Sequence, residues 1–287
     1  MSPLVLALVL SAAVAHATWN VTLKRVGASG PAFLWLTFLV GVVVFLSFGV
    51  WSLIDSGVDL TRWALLATVS GLLQVGYFFL VQKGYRAGDV SVVYPLARGT
   101  GPVLSVVLAI ILLGERPGPS TLLGAAVVVT GVGIIGCAGD RSSRRNMVPG
   151  VLFGLAIGGV IAVYTLWDSA AVTVWGMPVV GLYWGSVVVQ SLVLAPAALR
   201  DRVMLRSTLR SHWRAAVIVG VLSPLAYILV LLAIQQAPVS VVAPAREVSV
   251  VLVGLAGWLL FREPHPVQRL IGAGVVLGGV ALLALPL

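Results

Sequence analysis

A chain of 287 residues that is 60 % hydrophobic and only 9 % charged, with a mean hydropathy of +1.09, lacks the polar residues a soluble surface needs and reads as a polytopic membrane protein. Its net charge of +9 does not imply nucleic acid, because the Lys and Arg stand mainly in short segments between apolar runs, where they set membrane orientation. The single Cys137 excludes an intrachain disulfide, the His residues are scattered at 16, 212 and 265, and neither an HExxH sequence nor a Gly-rich phosphate loop occurs, so no metal, cofactor or enzyme chemistry is expected.

Apolar windows of about 20 residues, the length that crosses a ~30 Å hydrocarbon core, fall at 4–23, 31–53, 63–82, 90–113, 119–138, 149–168, 178–199, 213–235, 239–260 and 267–286. In the first, Ala13, Ala15 and Ala17 are spaced like a signal-peptide cleavage site, but Met1-Ser2-Pro3 brings no positive charge and Trp19 and Asn20 carry the run on to membrane length, so a span is expected. His16, Trp19, Asn20 and Leu23 share one helical face there. Span three does the same with Ser70, Gln74 and Tyr77, span six with Tyr164, Trp167 and Asp168, and span eight with Ser223 and Tyr227. Such faces point away from lipid. Small residues at four-residue spacing, Gly150, Gly154 and Gly158 on span six and Gly274 and Gly278 on span ten, are expected to let helices approach closely; Gly131, Gly133 and Gly136 on span five are read in the same way. Trp51, Trp63, Trp213 and Trp258 suit an interfacial belt.

Spans four and nine are one stretch written twice. Ser91, Val92, Val93 and Pro95 match Ser240, Val241, Val242 and Pro244 at an offset of 149 residues, and Arg98 and Glu115 match Arg246 and Glu263 at 148, after a one-residue deletion. Five spans per copy is an odd number, so the second copy is inverted about a pseudo-two-fold axis in the membrane plane. The expected organisation is a repeat over 1–139, an inverted repeat over 147–287, and one membrane domain overall. Fourteen Lys and Arg follow the odd-numbered spans, five of them in the loop from Arg200 to Arg214, against only Arg62 and Arg116 on the other side. That bias predicts both termini outside the cell.

Charge inside a span is costly and marks function or a buried pair. Arg98, Arg246 and Glu247 are such charges. Neighbours on a helix diverge by about 100°, so Arg246 and Glu247 are not expected to form one self-contained pair. Arg246 can hold a substrate carboxylate while Glu247 meets an amine or a proton; the alternative is a structural ion pair, with Glu247 reaching Arg98 across the pseudo-two-fold. Pro95 and Pro244 each remove a backbone donor and predict kinks, tolerated where backbone lines a cavity or packs in protein. Trp19, Tyr77, Tyr94, Trp167, Tyr183 and Tyr227 are candidate cavity rings, with His16, Asn20 and Gln74 beside them. Glu115 and Glu263, next to Arg116 and Arg262, read as solvated boundary charges.

The two five-span repeats, AHATWN in span one, and the paired segments SVVYPLARG…GER and SVVAPARE…FRE resemble EamA-type members of the drug/metabolite transporter superfamily, among them the aromatic amino acid exporters. The resemblance implies an all-α bundle of ten transmembrane helices around a central cavity, in the inner (cytoplasmic) membrane. It also implies export of small metabolites by alternating access, without a cofactor. Both repeats lie in one chain, so a monomer can suffice, with a small-molecule substrate and the lipid bilayer as partners. Two Arg and one Glu suit a zwitterion, which favours aromatic or large apolar amino acids over the alternatives of a drug or organic-cation effluxer and a sugar or nucleoside carrier.

Overall fold

The computed structural model describes residues 1–26, 30–88, 90–136, 147–261 and 266–284; Cys137, Arg141, Arg144, Arg145, Arg262 and Glu263 lie outside the described residues. These residues form twelve helices and no strand: α1 (Pro3–Val26), α2 (Pro31–Val44), α3 (Leu46–Ser56), α4 (Leu60–Ala87), α5 (Val90–Leu112), α6 (Pro119–Gly136), α7 (Met147–Thr173), α8 (Val179–Arg200), α9 (Arg202–Ile234), α10 (Val239–Ala245), α11 (Val248–Phe261) and α12 (Pro266–Ala284). Apolar composition dictates this outcome, because in lipid a backbone must satisfy its own hydrogen bonds and a helix does so within each segment. Starts and stops are local. Pro31 opens α2, the Asp59 carboxylate accepts from the Arg62 N–H at the start of α4, and Gly57 closes α3 at φ 60°, a left-handed turn that a side chain would strain.

Among the described residues seven helices are long and apolar enough to span a bilayer, or eight when α2 and α3, bent by 52° at Phe45, count as one. The apolar helices at 119–135 and 270–284 are shorter. The basic stretch after Arg200 differs from expectation. It is helical rather than a loop, since α9 begins at Arg202 with Asp201 capping the Met204 N–H, and regular geometry lapses only at His212 (φ −129°, ψ 16°).

Packing exchanges partners between the halves. α1 lies on α9 as α4 lies on α7, α2 lies on α9 as α4 lies on α8, and α6 pairs with α12. The two copies of the duplicated stretch meet as well, α5 against α10. The α6–α12 seam is built on glycine, but of the described glycines whose spacing suggested it only Gly131 is packed there. A Cβ on Gly279 would stand 2.7 Å from the Val128 backbone nitrogen, one on Gly131 would stand 2.7 Å from that of Val276, and Gly124 and Gly272 are equally hemmed in, whereas Gly133, Gly274 and Gly278 face open space. Four-residue spacing identifies a helix face but not whether a neighbour covers it. The span-six glycines behave as expected: Gly154 admits Leu96 and Gly158 admits Thr100, drawing α7 onto α5.

Candidate functional site: a charged cavity beside a broken helix

The site is centred on the break between α10 and α11. Pro244 has no N–H to bond the carbonyl one turn back, and the chain tightens: the Glu247 N–H donates to the Pro244 carbonyl, the Ser249 N–H to that of Arg246, and the Val250 N–H to that of Glu247. These i→i+3 bonds place Arg246 and Glu247 in a turn outside regular helix. Their side chains nonetheless approach each other, without making the self-contained pair that the divergence of helical neighbours argued against. Arg246 Nε lies 3.6 Å from Glu247 Oε1. The same oxygen receives Arg98 Nη1 at 3.5 Å, which is the cross-repeat contact named above as the alternative. Glu247 is 1 % exposed, and its Oε2 has no hydrogen-bond partner.

Arg98 is held by a second group. Its Nη2 lies 2.6 Å from His16 Nε2, and because arginine has no acceptor that ring nitrogen must accept. The Tyr94 ring lies under the Arg98 guanidinium at 5.7 Å. Arg246 Nη1 reaches the Thr165 hydroxyl at 3.4 Å, while Arg246 Nε has no hydrogen bond. Two guanidinium groups thus share one oxygen of one carboxylate, leaving a surplus positive charge at the break.

That charge borders a cavity of about 110 Å³. His16, Trp19, Gln74, Tyr77, Arg98, Tyr183, Tyr227 and Arg246, all named from the sequence, line it. Tyr164, Phe78, Ile161, Ser223 and Ser249 complete much of the wall. Four tyrosines form a continuous series, edge-to-face from Tyr77 to Tyr164 at 6.0 Å and from Tyr164 to Tyr227 at 5.8 Å, and tilted from Tyr227 to Tyr183 at 4.9 Å between ring centroids. The volume is below the roughly 300 Å³ at which ligand pockets begin.

Four candidates lie off the wall. Asn20 turns its amide back to the His16 carbonyl at 2.8 Å. Trp167 donates to the Leu66 carbonyl and packs on Trp175. Tyr94 supports Arg98 from outside, and Glu247 is sealed between the arginines. Pro95 lies within α5, which runs from Val90 to Leu112 without a break. Glu115 requires a correction. It is not a solvated boundary charge, because its two carboxylate oxygens accept from the Val239 and Ser240 N–H groups at 2.7 and 2.9 Å. It thereby caps α10 from the other half of the chain, where a helix start leaves N–H groups unpaired. Trp63 is also more than a belt residue, since it donates to the Gly181 carbonyl and stacks on Trp184; Trp51 and Trp213 remain well exposed.

Behind the cavity lies a polar network that sequence reading found only in part. Gln74 Oε1 accepts from the Tyr183 hydroxyl and from Gln190 Nε2, both at 3.3 Å. Ser70, Gln74 and Gln190 all converge on the Ser186 hydroxyl. Ser186 and Gln190 had a legible signal, polar residues at i and i+4 on span seven, three and seven residues after Tyr183.

The sequence model of the EamA-like transporter family matches this chain twice, at residues 3–137 and 148–285. A curated relative, the probable 4-amino-4-deoxy-L-arabinose-phosphoundecaprenol flippase subunit ArnE of Pseudomonas fluorescens, is 43 % identical over 53 residues, which is 18 % of this chain and 46 % of that protein. The match thus spans less than half of that relative's length. A crystal structure of another protein shares the fold at a TM-score of 0.79 and 20 % identity, covering 98 % of this chain and 96 % of that one.

Proposed function

The chain belongs to the EamA-like transporter family, and from that premise we propose that this multi-pass membrane transporter moves small metabolites, namely amino acids of the aromatic or large apolar kind, out across the inner membrane. On this reading ten spans, in two inverted repeats over 1–139 and 147–287, alternate access to the cavity. One observation carries the proposal: Arg246 faces an aromatic cavity while Glu247, its only carboxylate neighbour among the described residues, already serves Arg98. A guanidinium in a dry site seeks a carboxylate, through charge-assisted hydrogen bonds. The tyrosine faces offer both apolar contact for a ring and an electron-rich surface for an ammonium. The amine thus meets the tyrosines and Ser249 rather than Glu247, whose role is to hold Arg98 and Arg246.

The test compares initial uptake of labelled phenylalanine and of its decarboxylated amine into proteoliposomes. Wild type prefers the amino acid, and Arg246→Ala lowers its apparent affinity tenfold to hundredfold, equivalent to roughly 1.5–3 kcal/mol. Lys restores it only in part, because an ammonium lacks the planar fork. A preference for the amine with Arg246→Ala neutral overturns the reading in favour of cation efflux.

A second reading rests on the partial relative. The name of the flippase subunit specifies a phosphate on a polyprenol, and a surplus arginine suits a phosphate as well as a carboxylate. Uptake indifferent to every amino acid, together with Arg246-dependent translocation of a polyprenyl phosphate, selects that reading.

A further inference from the structure

Asp168 is wholly buried on α7, at 0 % exposure, and the cargo site described above does not use it. One carboxylate oxygen, Oδ2, accepts from the Tyr227 hydroxyl at 2.9 Å. The other, Oδ1, has no hydrogen bond of acceptable geometry, although Ser70 and Gln74 flank the carboxylate. No salt bridge reaches Asp168 among the described residues. The charged and titratable groups around it are accounted for. Tyr77 on α4, Tyr183 on α8, Tyr227 on α9 and Tyr164 on α7 itself are phenols lining the cavity. Arg98 on α5 is engaged by Glu247 and His16, and Arg246 by Glu247 and Thr165. Ser70 and Gln74, which flank it, belong to the neutral network with Ser186 and Gln190.

An ionised carboxylate in such a place, with no cation and one oxygen unsolvated, is strongly disfavoured. As a neutral acid it carries no charge to compensate, and its new O–H points among hydroxyl and amide oxygens. Access exists by one side chain on each flank, since Tyr227 and Gln74 both touch Asp168 and both line the cavity. The sequence adds an independent sign. Trp167-Asp168 on span six stands 148 residues after Trp19-Asn20 on span one, so the two repeats carry an acid and its neutral isostere at equivalent places, and only the acid is buried in the interior.

We propose that Asp168 is a proton-binding site, coupled to the cavity through Tyr227 and Gln74, where a proton from cavity water adds to Oδ1 and leaves again as the carrier changes state. The link between that proton and cargo rests on the transport reading above; the site itself does not.

Infrared spectroscopy of the full chain in liposomes tests the site without any cargo. Wild type shows the C=O band of a protonated carboxylic acid; Asp168→Asn removes it, Asp168→Glu keeps it at a shifted position, and Tyr227→Phe moves it by removing the donor to Oδ2. No such band in wild type, or a band that survives in Asp168→Asn, overturns the proposal. So does a band lost when sodium replaces choline at fixed pH, which makes the site one for a metal cation. The coupling is read separately. An imposed pH gradient changes phenylalanine accumulation by wild type several-fold and by Asp168→Asn not at all; a wild type that accumulates phenylalanine without regard to the gradient, or an Asp168→Asn that still responds, overturns the coupling. A wild type that never takes up phenylalanine defeats the cargo reading and leaves the infrared result to decide Asp168.

Discussion

The two copies of the duplicated stretch began as one sequence and have become two different structures. In the first, Pro95-Leu96-Ala97-Arg98 sits inside α5, and the helix runs on to Leu112; in the second, Pro244-Ala245-Arg246 ends α10 and the chain restarts as α11 at Val248. Among the sequence differences, the interval from proline to arginine is one residue shorter in the second copy, and there an i→i+3 turn holds Arg246 beside Glu247. Both arginines line the cavity, but Arg98 is a helical side chain held by Glu247 and His16, whereas Arg246 leaves the helix with an Nε that makes no hydrogen bond. A pseudo-symmetric protein has thereby acquired an asymmetric site, in which two arginines share one carboxylate and only one of them stands at a helix break.

The largest effect comes from removing the group the two arginines share. Glu247→Ala leaves two guanidinium charges in a buried setting with no counter-ion, and costs about 3–5 kcal/mol of stability, read as a lowered melting temperature in detergent micelles. Adding Arg98→Gln to the same chain restores part of the loss. Wild-type melting for the single variant would show that the pair has no structural role.

Next comes the deletion itself. Inserting a leucine between Pro244 and Ala245 copies the spacing of the first repeat and turns everything beyond it by about 100°. The carboxylate of Glu247 then leaves Arg98, and phenylalanine binding, followed by scintillation proximity on purified protein, falls at least tenfold. Unchanged binding would mean that the break does not direct Arg246.

A smaller effect tests the cross-repeat cap. Glu115→Ala releases the two N–H groups at the start of α10 and costs about 2 kcal/mol, visible as faster exchange of the Val239 and Ser240 amides. Equal exchange in both proteins removes the cap from the account.

The smallest effects sharpen the contrast at the scaffold, where span-five and span-ten helices meet. Gly279→Ala forces a Cβ against Val128 and costs about 1–3 kcal/mol. Gly274→Ala meets nothing and gains up to about 1 kcal/mol from helix propensity. Thermal unfolding of the pair separates a packed glycine from an idle one.

Much of this protein was determined by its sequence alone. Membrane residence follows from the scarcity of polar atoms, the helices from the need to satisfy backbone hydrogen bonds in lipid, and the repeat from residues still matched at 148 and 149 positions. His16, Trp19, Gln74, Tyr77, Tyr164, Ser223 and Tyr227 on the cavity wall were legible because helical periodicity puts polar and aromatic residues on a common face, and Arg98 and Arg246 because charge within a span is costly. Periodicity describes one helix at a time, however, and cannot state which neighbour a face will meet. Only the tertiary structure set Glu247 between Arg98 and Arg246, turned Asn20 and Trp167 to backbone carbonyls, brought Glu115 from one half to cap a helix in the other, and buried Asp168 among neutral groups. Those outcomes depend on distances across the bundle, where a 3.5 Å approach decides whether two charges neutralise each other or one stays available, and such distances are properties of packed helices and not of any single stretch of chain.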